Sequence, residues 1–501
     1  MIGRVRSLGL SGLNGYEVGV ECFLSGGLPS FDIVGLPDTA VKESRERVRA
    51  AAKNSDLVFP QRRITVNLTP ADKRKEGSVY DLPIMLCVAS AQDSALVIPD
   101  DAAFLGELSL TGELRPVNGV LSMALAARST DIKTIFVPKD NAREAALAQG
   151  LEVFGIKTVR ELVRHLTGER VVKPETARPP EIPEIYCDDF RDVRGQENVK
   201  RALEIAAAGA HNIIMSGPPG SGKSMLAQRL PSILPALTYD EILECTQIYS
   251  VAKLLTASVP LVTSRPFRSP HHTVSGAGLS GGGSNPRPGE ISLAHNGVLF
   301  LDELPEFPRD SLEVLRQPME DGTITISRAA AAVSYPARFM LVAAMNPCKC
   351  GWHGHESWRC TCTARSLEQY RARISGPLLD RIDMHVNVRH VEYTELVEPG
   401  GAESSAVIRE RVGRARDIQR SRYGEGFYNA TLPAELREKF CKPDSKGSEL
   451  LESAFSRLGL TARSYDRIVK VARTIADLAG SESIESGHIA EAVQYRRLDR
   501  V

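Results

Sequence analysis

Gly217-Pro218-Pro219-Gly220-Ser221-Gly222-Lys223-Ser224 decides how this chain is read. The eight residues spell G-x-x-x-x-G-K-S, and their flanks suit a phosphate-binding loop. Asn212-Ile213-Ile214-Met215 precedes them as a short apolar run that reads as a buried strand, and Met225-Leu226-Ala227-Gln228-Arg229-Leu230 follows as a helix. Glycines let successive backbone N–H groups turn inward on phosphate oxygens, and a helix N-terminus adds partial positive charge. Lys223 is placed for the β- and γ-phosphates of ATP, and the Ser224 hydroxyl for Mg²⁺. A chance Gly-rich turn would lack this strand–loop–helix context.

Binding a nucleotide is not yet a function, so hydrolytic groups are needed next. Gly297-Val298-Leu299-Phe300-Leu301-Asp302-Glu303-Leu304 is an apolar strand ending in two carboxylates. Asp302 is placed to hold the Mg²⁺ shell, and Glu303 to orient and polarise the attacking water. A solvent-facing acidic pair is the plainer reading, but the pair follows the phosphate loop in the order a P-loop ATPase requires. A third strand, Arg338-Phe339-Met340-Leu341-Val342-Ala343-Ala344-Met345, ends at Asn346, a polar group that can help position the water.

These motifs, together with Leu378-Leu379-Asp380-Arg381-Ile382-Asp383, resemble AAA+ ATPases of the Mg-chelatase-like group. Arg265-Pro266-Phe267-Arg268-Ser269-Pro270-His271-His272-Thr273, Pro288-Gly289-Glu290-Ile291-Ser292-Leu293-Ala294-His295 and Asn346-Pro347-Cys348-Lys349-Cys350 resemble, more narrowly, its ComM/YifB branch. The likeness runs from Gly3 to about Arg497. It implies an α/β architecture of three parts: an N-terminal Lon-protease-like domain of the S5 type, a P-loop AAA+ core and a C-terminal helical lid. It also implies a homohexameric ring that uses ATP in DNA branch migration during natural transformation. On the same ground Arg381 is the arginine finger given to a neighbouring subunit, worth about 10³–10⁵-fold in rate in well-studied cases. Alone, Asp380-Arg381 would read as a surface ion pair. Arg463, in Thr461-Ala462-Arg463-Ser464-Tyr465, matches the family's second sensor and would reach the nucleotide from the lid.

Composition sets the frame. The 501 residues are 42% hydrophobic and 25% charged, values of a large globular protein with room for two or three cores. A formal net charge of zero gives no global basic field, so any contact with DNA must be local. The first residues lack the apolar run of a signal peptide. The longest apolar run, near 82–91, is broken by Pro83 and too short for a membrane span, so a cytoplasmic protein with no membrane partner is expected. Four prolines between Lys173 and Pro183 mark a semi-rigid linker over 171–187. The expected domains are 1–170, an ATPase core over 188–398 carrying a Cys-rich insertion at 346–365, and a helical lid over 399–501.

Two other classes compete with the DNA motor. A magnesium-chelatase motor subunit, remodelling a protein partner, would resemble only the central part of this chain. An ATP-dependent serine protease would use the Lon-like domain, recognised by Gly106-Glu107-Leu108-Ser109-Leu110-Thr111-Gly112-Glu113-Leu114-Arg115-Pro116-Val117. Alignment there puts Val79 at the nucleophile and Leu121 at the lysine, and neither can attack a carbonyl or take a proton. The domain is therefore expected to be catalytically inactive.

Outside the ATPase motifs, Arg265, Arg268, His271, His272 and Arg287 lie in a Gly/Ser/Pro-rich segment. They suit either a pore loop tracking a phosphate backbone or packing near the nucleotide. Arg467, Lys470 and Arg473 interrupt an apolar helical pattern and read as a solvated or interface face. Cys348-Lys349-Cys350 and Cys360-Thr361-Cys362 are two C-x-C clips separated by nine residues containing two glycines. Four thiolates so arranged can converge on one structural Zn²⁺, with His353 or His355 able to replace one of them. Their spacing is tighter than the usual C-x₂-C, and four reduced cysteines in a surface insertion is the plainer alternative.

Overall fold

The computed structural model describes residues 2–176, 188–256, 259–283, 286–328, 331–354, 360–391 and 403–496. Most of the proline-rich linker and the break near residue 400 lie outside them, as do His355 and Arg497. The chain divides into two compact units, Met1–Glu181 with Tyr239–Thr263, and Ile182–Thr238 with Ser264–Val501. The segment expected to be one continuous ATPase core is therefore interrupted, because residues 239–263 belong to the first unit.

In the first unit, β1 (Ile2–Ser11), β2 (Asn14–Ser25), β3 (Ser30–Val34), β4 (Arg63–Thr69), β5 (Ala102–Phe104), β6 (Thr134–Pro138) and β7 (Glu152–Ile156) form a mixed sheet. Its order is β3-β4-β2-β1-β5-β6-β7. Along β2, Val18, Val20, Cys22 and Leu24 are buried at alternate positions, the period-two pattern that faces one side to the core. The apolar run near 82–91 is the helix Asp81–Gln92, buried on almost every side. Its first residue, the buried Asp81, is held by Arg47 at 2.6 Å. The helix Tyr239–Val251 completes this unit. The Tyr239 hydroxyl donates to the Leu147 carbonyl at 2.6 Å. The Ser250 hydroxyl accepts from the Gly119 N–H at 2.8 Å and donates to the buried Glu144 carboxylate. Val79 and Leu121 are both buried, and the Ser78 hydroxyl donates to Glu107.

The second unit holds a parallel sheet of β8 (Ile213–Ser216), β9 (Phe267–Arg268), β10 (Val298–Leu301), β11 (Met340–Met345) and β12 (Met384–Asn387), in the order β9-β10-β11-β8-β12. The near-continuous apolar strands expected from the sequence are buried on both faces, as parallel strands require. Helices Ser405–Tyr423, Ser445–Leu458, Ala462–Leu478 and Ser486–Gln494 form the C-terminal helical part.

Of the two readings open for Arg467, Lys470 and Arg473, a solvated or an interface face, the packing favours the second. Arg473 is 2% exposed and binds Asp477 at 3.0 Å and the Ser481 and Glu482 carbonyls. Arg467 reaches the buried Asp383 at 2.9 Å. Carboxylates from other turns and elements meet these cations, so the polar stripe points inward. Three arginines of Ser405–Tyr423 also turn inward, Arg411 to Glu204, Arg416 to the Ala207 carbonyl and Arg422 to the buried Asp477, while Arg414 and Arg420 are exposed.

Asp383 sits at the join of sheet and helices, with buried His211 3.7 Å away. Burial opposes its charge, but the Arg467 guanidinium outweighs that and holds its carboxyl well below the usual range. Burial also lowers His211, and burial with the Arg496 charge lowers His385 to about 3. Both imidazoles are thus neutral in the folded chain, whereas unfolded histidine titrates near about 6.5. Below that value the unfolded state takes up protons that the folded state refuses, so stability present above about pH 6.5 is lost on acidification. Asp383 adds its own loss only below about pH 3.9. We expect Tm to fall as pH drops from 7 to 4.5, and His385→Gln to make that fall shallower. Equal slopes for the two proteins, followed by circular dichroism, would refute the assignment.

Candidate functional site

Parallel pairing sets Ser216 beside Met345 and Leu301 beside Ala343, so β8, β10 and β11 end along one edge. The loop 217–224, Asp302 and Asn346 begin there. Gly220 and Gly222 adopt φ of 76° and 87°, a region open to glycine at little cost, and nothing lies within 4 Å of a Cβ built at Gly220. The Lys223 ammonium folds back onto the Gly217 and Pro218 carbonyls at 2.7 and 2.8 Å and meets Asn346 Oδ1 at 3.3 Å. Burial lowers its pKa, with Asp302 opposing. The Ser224 hydroxyl donates to Asp302 Oδ2 at 2.6 Å, a hydroxyl and a carboxylate that suit Mg²⁺. The loop, Lys223, Ser224, Asp302 and Asn346 are thus brought together, and they fit ATP with Mg²⁺.

Glu303 stands apart from this group. Its backbone has φ 52°, and its carboxylate faces His272 Nδ1 at 3.3 Å. The His272 ring in turn packs on His271, with centroids 4.0 Å apart. Residue type and spacing did not signal this contact. Of the other cations in that segment, Arg265 donates to the Pro235 and Asn296 carbonyls and Arg268 pairs with Glu290 at 2.7 Å. These two arginines are structural ties.

Arg381 and Arg463 share a cavity lined by Glu320, Asp380, Asp466, Arg467 and Lys470, and no residue of the phosphate loop is among its walls. Arg381 is 9% exposed, pairs with Glu320 at 2.6 Å and donates to the Pro377 carbonyl at 2.7 Å. Its Nε is buried without a hydrogen-bond partner among the described residues. Arg463 lies 3.7 Å from Asp380 and is mostly exposed.

The four cysteines meet. Sγ atoms of Cys348, Cys350, Cys360 and Cys362 all lie within 4.8 Å of one another. Cys360 lies 3.9 Å from Cys348 and 3.7 Å from Cys350, while Cys348 and Cys350 are 3.2 Å apart. A tetrahedron with Zn–S bonds of about 2.3 Å has edges of about 3.8 Å, so this donor set fits zinc. His353 Nδ1 stands 4.0 Å from Cys360, and His355 lies outside the described residues.

Comparison with known proteins matches this sequence to a family. The model for magnesium chelatase, subunit ChlI, matches residues 189–396, with related ChlI models over 20–141 and 402–496. The chain is 43% identical over 495 residues to competence protein ComM of Haemophilus influenzae, covering 97% of this chain and 95% of that protein. It is equally identical to the uncharacterized protein YifB of Escherichia coli, over 98% and 96%. The chain belongs to the ComM/YifB family. This family is Mg-chelatase-like and AAA+, which implies ATP and Mg²⁺ at the loop described above. The chloroplastic magnesium-chelatase subunit ChlI of rice is more distant, 23% identical over 58% of this chain and 65% of its own. Among the described residues no helix is long and apolar enough to cross a membrane.

With Glu303 as the expected base, Glu303→Gln leaves Lys223, Ser224 and Asp302 untouched. Binding of ATP should persist while turnover falls about 10²–10⁴-fold. Near-normal turnover in that variant would assign the catalytic carboxylate elsewhere.

Proposed function

We propose that this protein is an ATP-hydrolysing motor that assembles as a homohexameric ring in the cytoplasm and drives branch migration of DNA. Lys223 and Ser224 hold the phosphates and Mg²⁺, Asp302 completes the metal shell, Glu303 activates water and Asn346 orients it. The observation that carries the ring is the seat of Arg381. Among the described residues its buried guanidinium keeps one N–H unbonded, and it shares a cavity with Arg463, walled by residues other than the phosphate loop. A finger so placed serves a neighbour's nucleotide, and Arg463, expected to reach the nucleotide from the lid, lines the same cavity. The DNA substrate rests on the full-length likeness to a protein named for competence. A magnesium-chelatase role is less well supported: models for subunit ChlI match 20–141 and 402–496 as well as the central part, against the expectation of a central likeness alone, but the ChlI protein of rice is only 23% identical over 58% of this chain. The buried Val79 and Leu121 leave the protease reading without a dyad.

We further propose that Cys348, Cys350, Cys360 and Cys362 hold one structural Zn²⁺. Four protein ligands leave no position for a catalytic water. Metal analysis of untagged protein should return about one zinc per chain, and zinc-free preparations would reject the site.

Two measurements test the motor. Arg381→Ala and Lys223→Ala chains should each be inactive alone, yet regain part of the ATPase when mixed, since one interface can then pair an intact loop with an intact finger. ATP turnover should also rise with a labelled four-way junction as that junction is resolved into duplexes. Full turnover by a proven monomer would refute the ring, and an ATPase indifferent to branched DNA would refute the substrate.

A further inference from the structure

The clip Cys348-Lys349-Cys350 is followed by Gly351, which adopts φ 85°. A Cβ built there would lie 2.5 Å from Cδ and 2.6 Å from Cγ of Pro219. Gly351 therefore sets its bare Cα against the ring of a phosphate-loop residue. Any side chain would push the clip and the loop apart. The same clip is tied to the other wall of the nucleotide site. Asn346, which meets the Lys223 ammonium, is separated from the buried Cys348 by Pro347 alone. Tyr370, which is buried, stands near both Asn346 and Cys348.

Residues 346–354 and 360–362 contain neither helix nor strand. The clip's own turn is closed by the Gly351 N–H donating to the Cys348 carbonyl at 2.9 Å. Among the described residues, the four sulfurs bring Cys348 and Cys350 together with Cys360 and Cys362. A metal bridging them would fix the clip as a unit, and the clip would fix Pro219 and Asn346 together.

We propose that the cysteine centre is a buttress for the phosphate loop, so that zinc occupancy sets the affinity of the ATPase site for nucleotide. The inference rests on the zinc reading given above and adds a positioning role for Gly351. With the metal removed, the clip samples more conformations and Pro219 loses its backstop. The loop is then in its binding-competent shape for a smaller fraction of the time. Apparent affinity falls in proportion to that fraction, so a competent population reduced to about a tenth weakens binding about tenfold. Glu303 plays no part in this effect.

The test uses the full chain and a fluorescent ADP analogue with Mg²⁺, which reports binding without hydrolysis. Zinc content and Tm are measured on the same samples. Wild-type protein stripped by a chelator should bind the analogue about tenfold more weakly, and added zinc should restore it. The Cys360→Ser, Cys362→Ser double variant should match the stripped protein. Gly351→Ala keeps all four thiols, so it should retain zinc and a Tm close to wild type while also binding the analogue more weakly. Weak binding in a variant that still holds its metal is the result a general loss of folding cannot produce. Wild-type protein without zinc would overturn the metal reading and this inference with it. Zinc present, but with affinity unchanged on stripping and in Gly351→Ala, would overturn the buttress alone.

Discussion

Parallel pairing around β8 is the constraint on which the nucleotide site depends. With β11 on one side and β12 on the other, the strand that feeds the phosphate loop has neighbours running the same way. Their C-terminal ends, and that of β10 beyond β11, therefore share an edge, where carboxylate, amide and ammonium converge without long side chains having to stretch. Every strand in this row is buried, so a one-residue slip in register would turn Asp302 or Asn346 away and drive polar groups into the core.

A second constraint holds the helical part on the sheet. Asp383 ends the segment that carries Arg381 and faces Arg467 on the helix Ala462–Leu478. Removing one partner of a buried pair typically costs about 3–5 kcal/mol, a large share of a domain's stability. The same helix presents Arg463 two residues from its N-cap Thr461. Packing of the helical part and placement of the two arginines are therefore a single structural matter.

What could be read in the chain was local. The loop 217–224 carries its chemistry in eight consecutive residues, and Asp302, Glu303 and Asn346 are visible as polar ends of apolar strands. The two C-x-C clips announce a cluster because cysteine is rarely paired so closely without a ligand. Contacts between distant segments left no such trace. Nothing near Glu320 marks it as the partner of Arg381, and nothing near His272 marks it as the neighbour of Glu303. For the same reason the sequence leaves Arg467, Lys470 and Arg473 open between a solvated and an interface face. Periodicity marks them only as polar, and the carboxylates that draw Arg467 and Arg473 inward become evident only once the chain has folded.

The first unit is discontinuous in sequence, and this bears on how the protein is made. Leu243 and Leu261 pack against its core, and Ser250 satisfies the buried Glu144. That core cannot close when residue 181 leaves the ribosome. It must wait for residue 263, and by then the strand and helix flanking the phosphate loop have emerged as well. At about 5–20 residues per second the delay is several seconds, during which an apolar surface stands open. The insertion also raises the sequence separation of the contacts that finish the unit, which slows folding. The unit that comes first in the chain therefore cannot be finished first.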